Sequence, residues 1–287
     1  MNINKNIVNL LINNIVTKSS SDNNIVTKSS SDNNIVTEPS SDHNIVTGYD
    51  NNIVTELSSD HNQDNNTISI IIDPIQKLNE LHKKLKIKYG NFTEEYPEQE
   101  MSVSFIKPDN IVLELGGNIG RNSCIIASLL NNSNNLVVFE SDPENAIKLK
   151  ENCDLNNLNF IIEDCAISKI ELLQKDWITK SKDLINDDEL LNWKPIKTMS
   201  WLQIKNKYKI IFDTLVADCE GALYYILKDE PNFLETFKTI IIENDFNDIE
   251  HKHFVDAEFK RFNFNNVYTK SGGFGPCYNC FFEVWTK

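Results

Sequence analysis

The chain has 287 residues, 40% of them hydrophobic and 24% charged, enough for one large domain plus an appendage. Its formal net charge is −14, and arginine occurs only at Arg121 and Arg261. Without clustered cations to track phosphates, nucleic acid is not an expected partner. Six cysteines without a secretory signal exclude a disulfide framework, and no apolar run is long enough for membrane insertion; a soluble, cytoplasmic protein is expected.

Residues 1–68 form an Asn/Ser-rich, low-complexity tail. Asn13 to Asp22 reads NNIVTKSSSD, the next ten residues repeat it, and worn copies follow to Asn51. Each unit offers two strong apolar residues, too few to offset the entropy of ordering the rest, so a disordered tail is expected over a stacked β-solenoid. Residues 69–93 hold an accessory helix, with Ile75, Leu78, Leu81 and Leu85 at helical spacing. Residues 94–287 form the main domain.

In that domain strands alternate with helices. Ile111–Leu115 reads as a buried strand and Asn118–Leu130 as the helix after it. Leu136–Glu140 and Asn159–Glu163 are the next strands, with a helix over Pro143–Asn156 between them. Lys209–Asp218 and Thr239–Glu243 follow, with helices at Gly221–Leu227 and Ile249–Phe262. Val267–Lys270 and Phe281–Trp285 close the chain as a hairpin. This order predicts an α/β, Rossmann-like fold: a mostly parallel seven-stranded sheet with an antiparallel C-terminal hairpin strand and helices on both faces.

The strongest local signal is Glu114-Leu115-Gly116-Gly117-Asn118-Ile119-Gly120. A buried strand ends in a glycine turn and a helix follows, so free N–H groups and a positive dipole end face a ligand. The spacing departs from G-x-G-x-x-G and instead gives E-x-G-x-x-x-G, the pattern of S-adenosyl-L-methionine sites. Glu140, about 20 positions after the loop, suits two adjacent ribose hydroxyls; the alternative is a solvated residue at a helix start. Glu163-Asp164-Cys165-Ala166 ends the third strand, where Asp164 is either an acceptor for the adenine amino group or a turn former.

VLELGGNIG, VVFESDP, VADCEGA and IIIEN, in this order and spacing, resemble the FkbM-like family of class I S-adenosylmethionine-dependent methyltransferases. The resemblance covers about Glu98 to Asn244. It implies an enzyme with a Rossmann-like methyltransferase fold that methylates hydroxyls of sugars or other small molecules. By it, Glu114, Gly116, Gly117, Asn118 and Gly120 form the methionine-end loop, Glu140 accepts from the ribose, and Asp164, Cys165 and Ala166 wall the adenine. Two positions depart from the family's K-I-D-x-E-G-x-E: Val216 stands for the lysine and Leu223 for the second glutamate. These departures keep open a protein or nucleic-acid methyltransferase and a non-catalytic scaffold of the same fold.

Asp218 is the first choice for the base that takes the acceptor's proton, and Glu220 the second, its alternative role being to complement a helix dipole. Asp218, Glu243 and Asn244 would end neighbouring strands, where three oxygen ligands suit Mg2+ or Ca2+. The segment Ile170 to Lys207 carries Trp177, Trp193 and Trp201; Trp177 and Trp201, with Glu243 and Asn244, are candidate contacts for a small-molecule or glycan acceptor. Cys277-x-x-Cys280 has no second pair to complete a zinc site and reads as hairpin packing.

Overall fold

The computed structural model describes residues 53–57, 68–175, 178–186 and 190–287. Two compact units follow one another, Met1–Asp73 and Pro74–Lys287. In the first, β1 (Ile53–Leu57) pairs antiparallel with β2 (Ile68–Ile72), Ile53 opposite Ile72. The last worn repeat thus supplies a strand from its β-branched Ile-Val-Thr. The other copies lie outside the described residues.

The second unit opens with α1 (Pro74–Lys84), over the apolar spacing of Ile75, Leu78 and Leu81. Its Leu78 is fully buried, and His82 meets the Gln99 side chain at 2.6 Å. Gln99 lies on α2 (Tyr96–Phe105), a helix absent from the sequence reading. Its sequence YPEQEMSVSF lacks an amphipathic period: Glu98, Gln99 and Ser102 are buried along with Met101 and Val103. Pro97 in its first turn was the available signal.

The main sheet begins with β3 (Val112–Leu115), β4 (Leu136–Phe139) and β5 (Ile161–Glu163). Helices α3 (Arg121–Leu129) and α4 (Pro143–Leu155) connect them. Asp142 caps α4, accepting from the N–H groups of Glu144 and Asn145 ahead of a first-turn proline. After β5 come a two-residue strand, β6 (Ala166–Ile167), and then β7 (Leu172–Lys175), β8 (Ile178–Ser181) and β9 (Lys194–Ile196). β10 (Thr198–Met199) pairs with β6, and α5 (Trp201–Tyr208) starts on a capping box between Ser200 and Gln203. The segment Ile170 to Lys207 therefore carries its own antiparallel sheet, in the order β8-β7-β9.

The chain then returns through β11 (Thr214–Ala217), α6 (Ala222–Asp229), β12 (Thr239–Glu243), α7 (Ile249–Arg261), β13 (Asn265–Lys270) and β14 (Phe282–Thr286). The seven-stranded order is β13-β14-β12-β11-β3-β4-β5; only β14, against both its neighbours, is antiparallel. This is a Rossmann-like α/β sheet with the reversed strand where the sequence predicts it. The strands β3, β4 and β11 are buried at every position, as strands covered on both faces must be. Among the described residues no helix is long and apolar enough to cross a membrane.

The parallel order places the carboxyl ends of β3, β4, β5 and β11 along one edge. The switch point falls between β3 and β11, where the chain leaves one half of the sheet for the other. Open α/β sheets bind ligands at that position.

Candidate functional site

The glycine turn after β3 is fixed from two sides. The N–H groups of Gly116 and Gly117 both donate to the Phe139 carbonyl, at 2.9 and 3.2 Å, and Asp218 N–H donates to the Leu115 carbonyl at 3.0 Å. Gly116 has φ +85°, and a Cβ there would lie 1.5 Å from the Asp218 carbonyl oxygen. A Cβ at Gly117 would lie 2.2 Å from Val138 Cγ1. The loop's glycines thus let three strand ends pack together, whether or not a ligand is bound. Gly120, at φ +90°, ends the turn, and α3 starts at Arg121 rather than at Asn118, itself at φ +46°.

Glu140 closes the other side. Its Oε2 accepts from Asn118 N–H at 2.6 Å and its Oε1 from Asp142 N–H at 2.7 Å. Each carboxylate oxygen keeps a further acceptor position. Glu140, Gly116, Asn118, Cys165 and Ala166 all line a cleft of about 640 Å3, within the range of small-molecule sites. Glu114 is 2% exposed and lies beneath the loop rather than on the cleft wall, as do Gly117 and Gly120. Asp164 is turned to Lys197, with which it forms an ion pair, and is not part of the wall.

Burial pushes the Glu114 carboxyl up to about 8 and that of Glu140 up to about 7, the latter against the pull of its two N–H donors. Both hold protons in the folded state that an unfolded chain releases near pH 4. Their stabilising contribution is complete below that pH and is lost as pH rises through 7 and 8. The melting temperature of the unliganded protein should therefore fall between about pH 5 and pH 8.5. A flat or rising thermal-denaturation profile would contradict these protonation states.

At the acceptor end, Asp218 and Glu220 follow β11 and both line the cleft. Glu220 is exposed and sits at φ +52°, shaping the turn into α6. Burial, and then the carboxylates of Asp245, Glu95, Glu98 and Glu220, hold the Asp218 carboxyl well above its usual range. Burial likewise pushes Glu243 up to about 12, with Glu98 and Asp218 adding to it. Asp245 is 6% exposed and accepts from Gly221 N–H at 2.7 Å through one oxygen, tying the turn to the end of β12.

Several expectations are corrected here. Asn244 is 1% exposed, and its amide donates to the Cys280 carbonyl at 2.6 Å and to Glu283 at 3.0 Å. The antiparallel neighbour β14 has captured it, so it faces neither Asp218 nor the cleft. Glu243 also stays off the cleft wall and turns toward Glu98 and Asp218. Trp201 is 5% exposed, packed edge-on against Phe233 and close to Phe212 and Phe237; it belongs to the core. Trp177 lies outside the described residues. Trp193 is covered by Lys180 at 5.6 Å and is not on the wall.

The insertion does reach the cleft, through Gln174, Thr179, Lys180 and Ser181 rather than through tryptophans. Tyr224, Tyr225 and His251 also line it; the sequence points to neither tyrosine, and to His251 only as a possible zinc ligand with Cys277 and Cys280. The Tyr224 and His251 rings stack at 3.6 Å between centroids. Two consecutive tyrosines early in a helix after the Asp218 turn were the available sign.

Glu94 and Glu95, just before α2, bind Arg121 at the start of α3, with Glu95 at 2.6 Å. Glu95 also accepts from the Asn118 side chain at 3.3 Å. The unforeseen helix is thereby tied to the glycine loop.

No family model matches the sequence, and no curated protein matches it. Among solved structures the chain is similar to a putative O-methyltransferase from Klebsiella pneumoniae, at 13% identity and a TM-score of 0.39, covering 74% of this chain and 88% of that one. It is similar to an O-methyltransferase from Bacillus cereus in complex with SAH, at 15% identity and TM-score 0.39, covering 74% and 91%. A ribosomal protein L11 methylase from Lactobacillus delbrueckii subsp. bulgaricus shares 10% identity at TM-score 0.41, over 67% of this chain and 77% of that one. These likenesses concern the course of the chain and leave the site's chemistry to its own residues.

Proposed function

We propose that the chain is an S-adenosylmethionine-dependent methyltransferase acting on a hydroxyl of a small molecule or glycan. The observation that carries the proposal is Glu140 on the cleft wall, one oxygen bonded to the glycine loop at Asn118 and the other to Asp142, and still able to accept from a ribose diol. The E-x-G-x-x-x-G spacing, the motif order shared with FkbM-like methyltransferases and the switch-point cleft support the same assignment. The residues fit the cofactor: Gly116 and Asn118 at its amino-acid end, Glu140 at the ribose, Cys165 and Ala166 at the adenine. Asp164, held by Lys197, is left out of that set.

Bound there, S-adenosylmethionine supplies an electrophilic methyl group. What remains for the protein is to aim an acceptor oxygen and receive its proton. Asp218 stands at the cleft floor for the second task, and its raised pKa suits proton exchange with a hydroxyl better than an ordinary aspartate would. Glu220 is the second candidate. Tyr224, Tyr225 and Lys180 line the acceptor end, where rings and hydroxyls of a sugar-like molecule find contacts. The net charge of −14 favours such an acceptor over nucleic acid.

Calorimetric titration tests the cofactor assignment. S-adenosylmethionine should bind the wild-type protein one to one, while NAD should not bind. Glu140→Gln should weaken binding by roughly tenfold or more, since a hydrogen bond to a charged group is worth about 1.5–3 kcal/mol. Equal binding by the variant would remove Glu140 from the ribose site.

A further inference from the structure

Glu98, Asp218 and Glu243 come from three separate elements and meet at one point. Asp218 and Glu243 follow parallel neighbours, with Ala217 of β11 opposite Ile242 of β12, so the two side chains leave the sheet side by side. Glu98 reaches them from the first turn of α2. One carboxylate oxygen from each residue lies within 4.8 Å of the other two.

Among the described residues no cation pairs with Glu98, Asp218 or Glu243. The nearby cations are engaged elsewhere, Arg121 with Glu94 and Glu95, and Lys270 with Glu100 at 2.7 Å. Glu98 is only 7% exposed, and its Oε2 is buried without a hydrogen-bond partner. A buried carboxylate oxygen left unpaired is costly, and here it belongs to the residue that faces two more acids.

We propose that Glu98, Asp218 and Glu243 form a binding site for a hard divalent cation of the Ca2+, Mg2+ and Mn2+ class. Oxygen ligands sit about 2.3–2.6 Å from Ca2+, so two of them across the ion are about 5 Å apart; around Mg2+, at about 2.1 Å, they are about 4 Å apart. Three oxygens within 4.8 Å of one another can converge on one ion of either size. The group contains no thiol or imidazole, so softer metals gain nothing from it. An ammonium-bearing acceptor fits less well, because Glu98 and Glu243 do not line the cleft and only Asp218 connects the two spaces. The ion would sit behind Asp218, fixing the orientation of its carboxylate toward the acceptor end. Asn244, held by β14, takes no part.

Cation binding in the absence of cofactor tests this site separately from methyl transfer. The full chain, stripped with EDTA, is titrated calorimetrically with CaCl2, MgCl2 and MnCl2 in turn, and its melting temperature is followed alongside. At least one cation should bind with a stoichiometry of one and raise the melting temperature. Glu98→Gln and Glu243→Gln should each weaken binding at least about tenfold while the circular dichroism spectrum is kept. If Glu98→Gln fails to fold, Glu243→Gln decides. No binding of any of the three cations to the wild-type chain at millimolar concentration would overturn the proposal, as would undiminished binding by the folded variants.

Discussion

Replacing Gly116 with alanine should cost more stability than most single substitutions, above about 4 kcal/mol, and should abolish cofactor binding. The added Cβ would sit 1.5 Å from the Asp218 carbonyl oxygen, a backbone atom that no rotamer change can move. The same residue is at φ +85°, where a side chain adds its own strain. To relieve both, β3 and β11 must separate at their carboxyl ends, which opens the floor of the cleft. At about 2–4 °C per kcal/mol for a unit of this size, the melting temperature should fall by roughly 10 °C or more. Gly275→Ala is the control: φ is +73°, but the nearest atom to its Cβ is 4.0 Å away, so backbone strain of about 1–2 kcal/mol is all that is added. Equal melting temperatures for the two variants would mean that the loop is not packed as described.

Asp218→Asn should leave folding intact and remove turnover. Asparagine has the same shape, and the backbone bond from residue 218 to the Leu115 carbonyl does not use the side chain. Burial, and then the carboxylates of Asp245, Glu95, Glu98 and Glu220, oppose ionisation of Asp218, so an uncharged amide there removes that penalty and the melting temperature should not fall. The lost function is proton acceptance, worth about 10²- to 10⁴-fold in rate for a positioned general base. Cofactor affinity should stay close to that of the wild type, because Glu140 and the loop are untouched. A variant with wild-type turnover would move the base to Glu220 or exclude a carboxylate base altogether.

How much of this was legible in the sequence depended on what each residue packs against. The sheet strands were readable because strands buried on both faces are continuous apolar runs bounded by turns. The edges of elements were less so: the reading began the fourth core strand at Lys209, but pairing starts only at Thr214. The glycine loop was readable by spacing, although its reason lay elsewhere. Gly116 is required by the Asp218 backbone, and the cleft lies beyond it.

Helix α2 escaped because burial of Glu98, Gln99 and Ser102 erases the periodicity by which a helix is recognised. With it escaped the third acid of the cluster. Asn244 was placed beside Asp218 by strand order alone, which cannot foresee that the Cys280 carbonyl and the Glu283 carboxylate of β14 take its amide. Trp201 illustrates the same limit. An aromatic residue near a site has the same sequence signature whether it faces ligand or core, and here three phenylalanines surround it.

The most direct measurement is transfer of a labelled methyl group from S-adenosylmethionine by the wild-type chain. The acceptors to be offered are hydroxylated small molecules, glycans, lipids, protein and nucleic acid. Label should appear on a hydroxyl-bearing small molecule or glycan, with turnover lost in Asp218→Asn. Label on nucleic acid or protein alone would contradict the proposed acceptor. No transfer to any class, together with no binding of S-adenosylmethionine, would contradict the function itself.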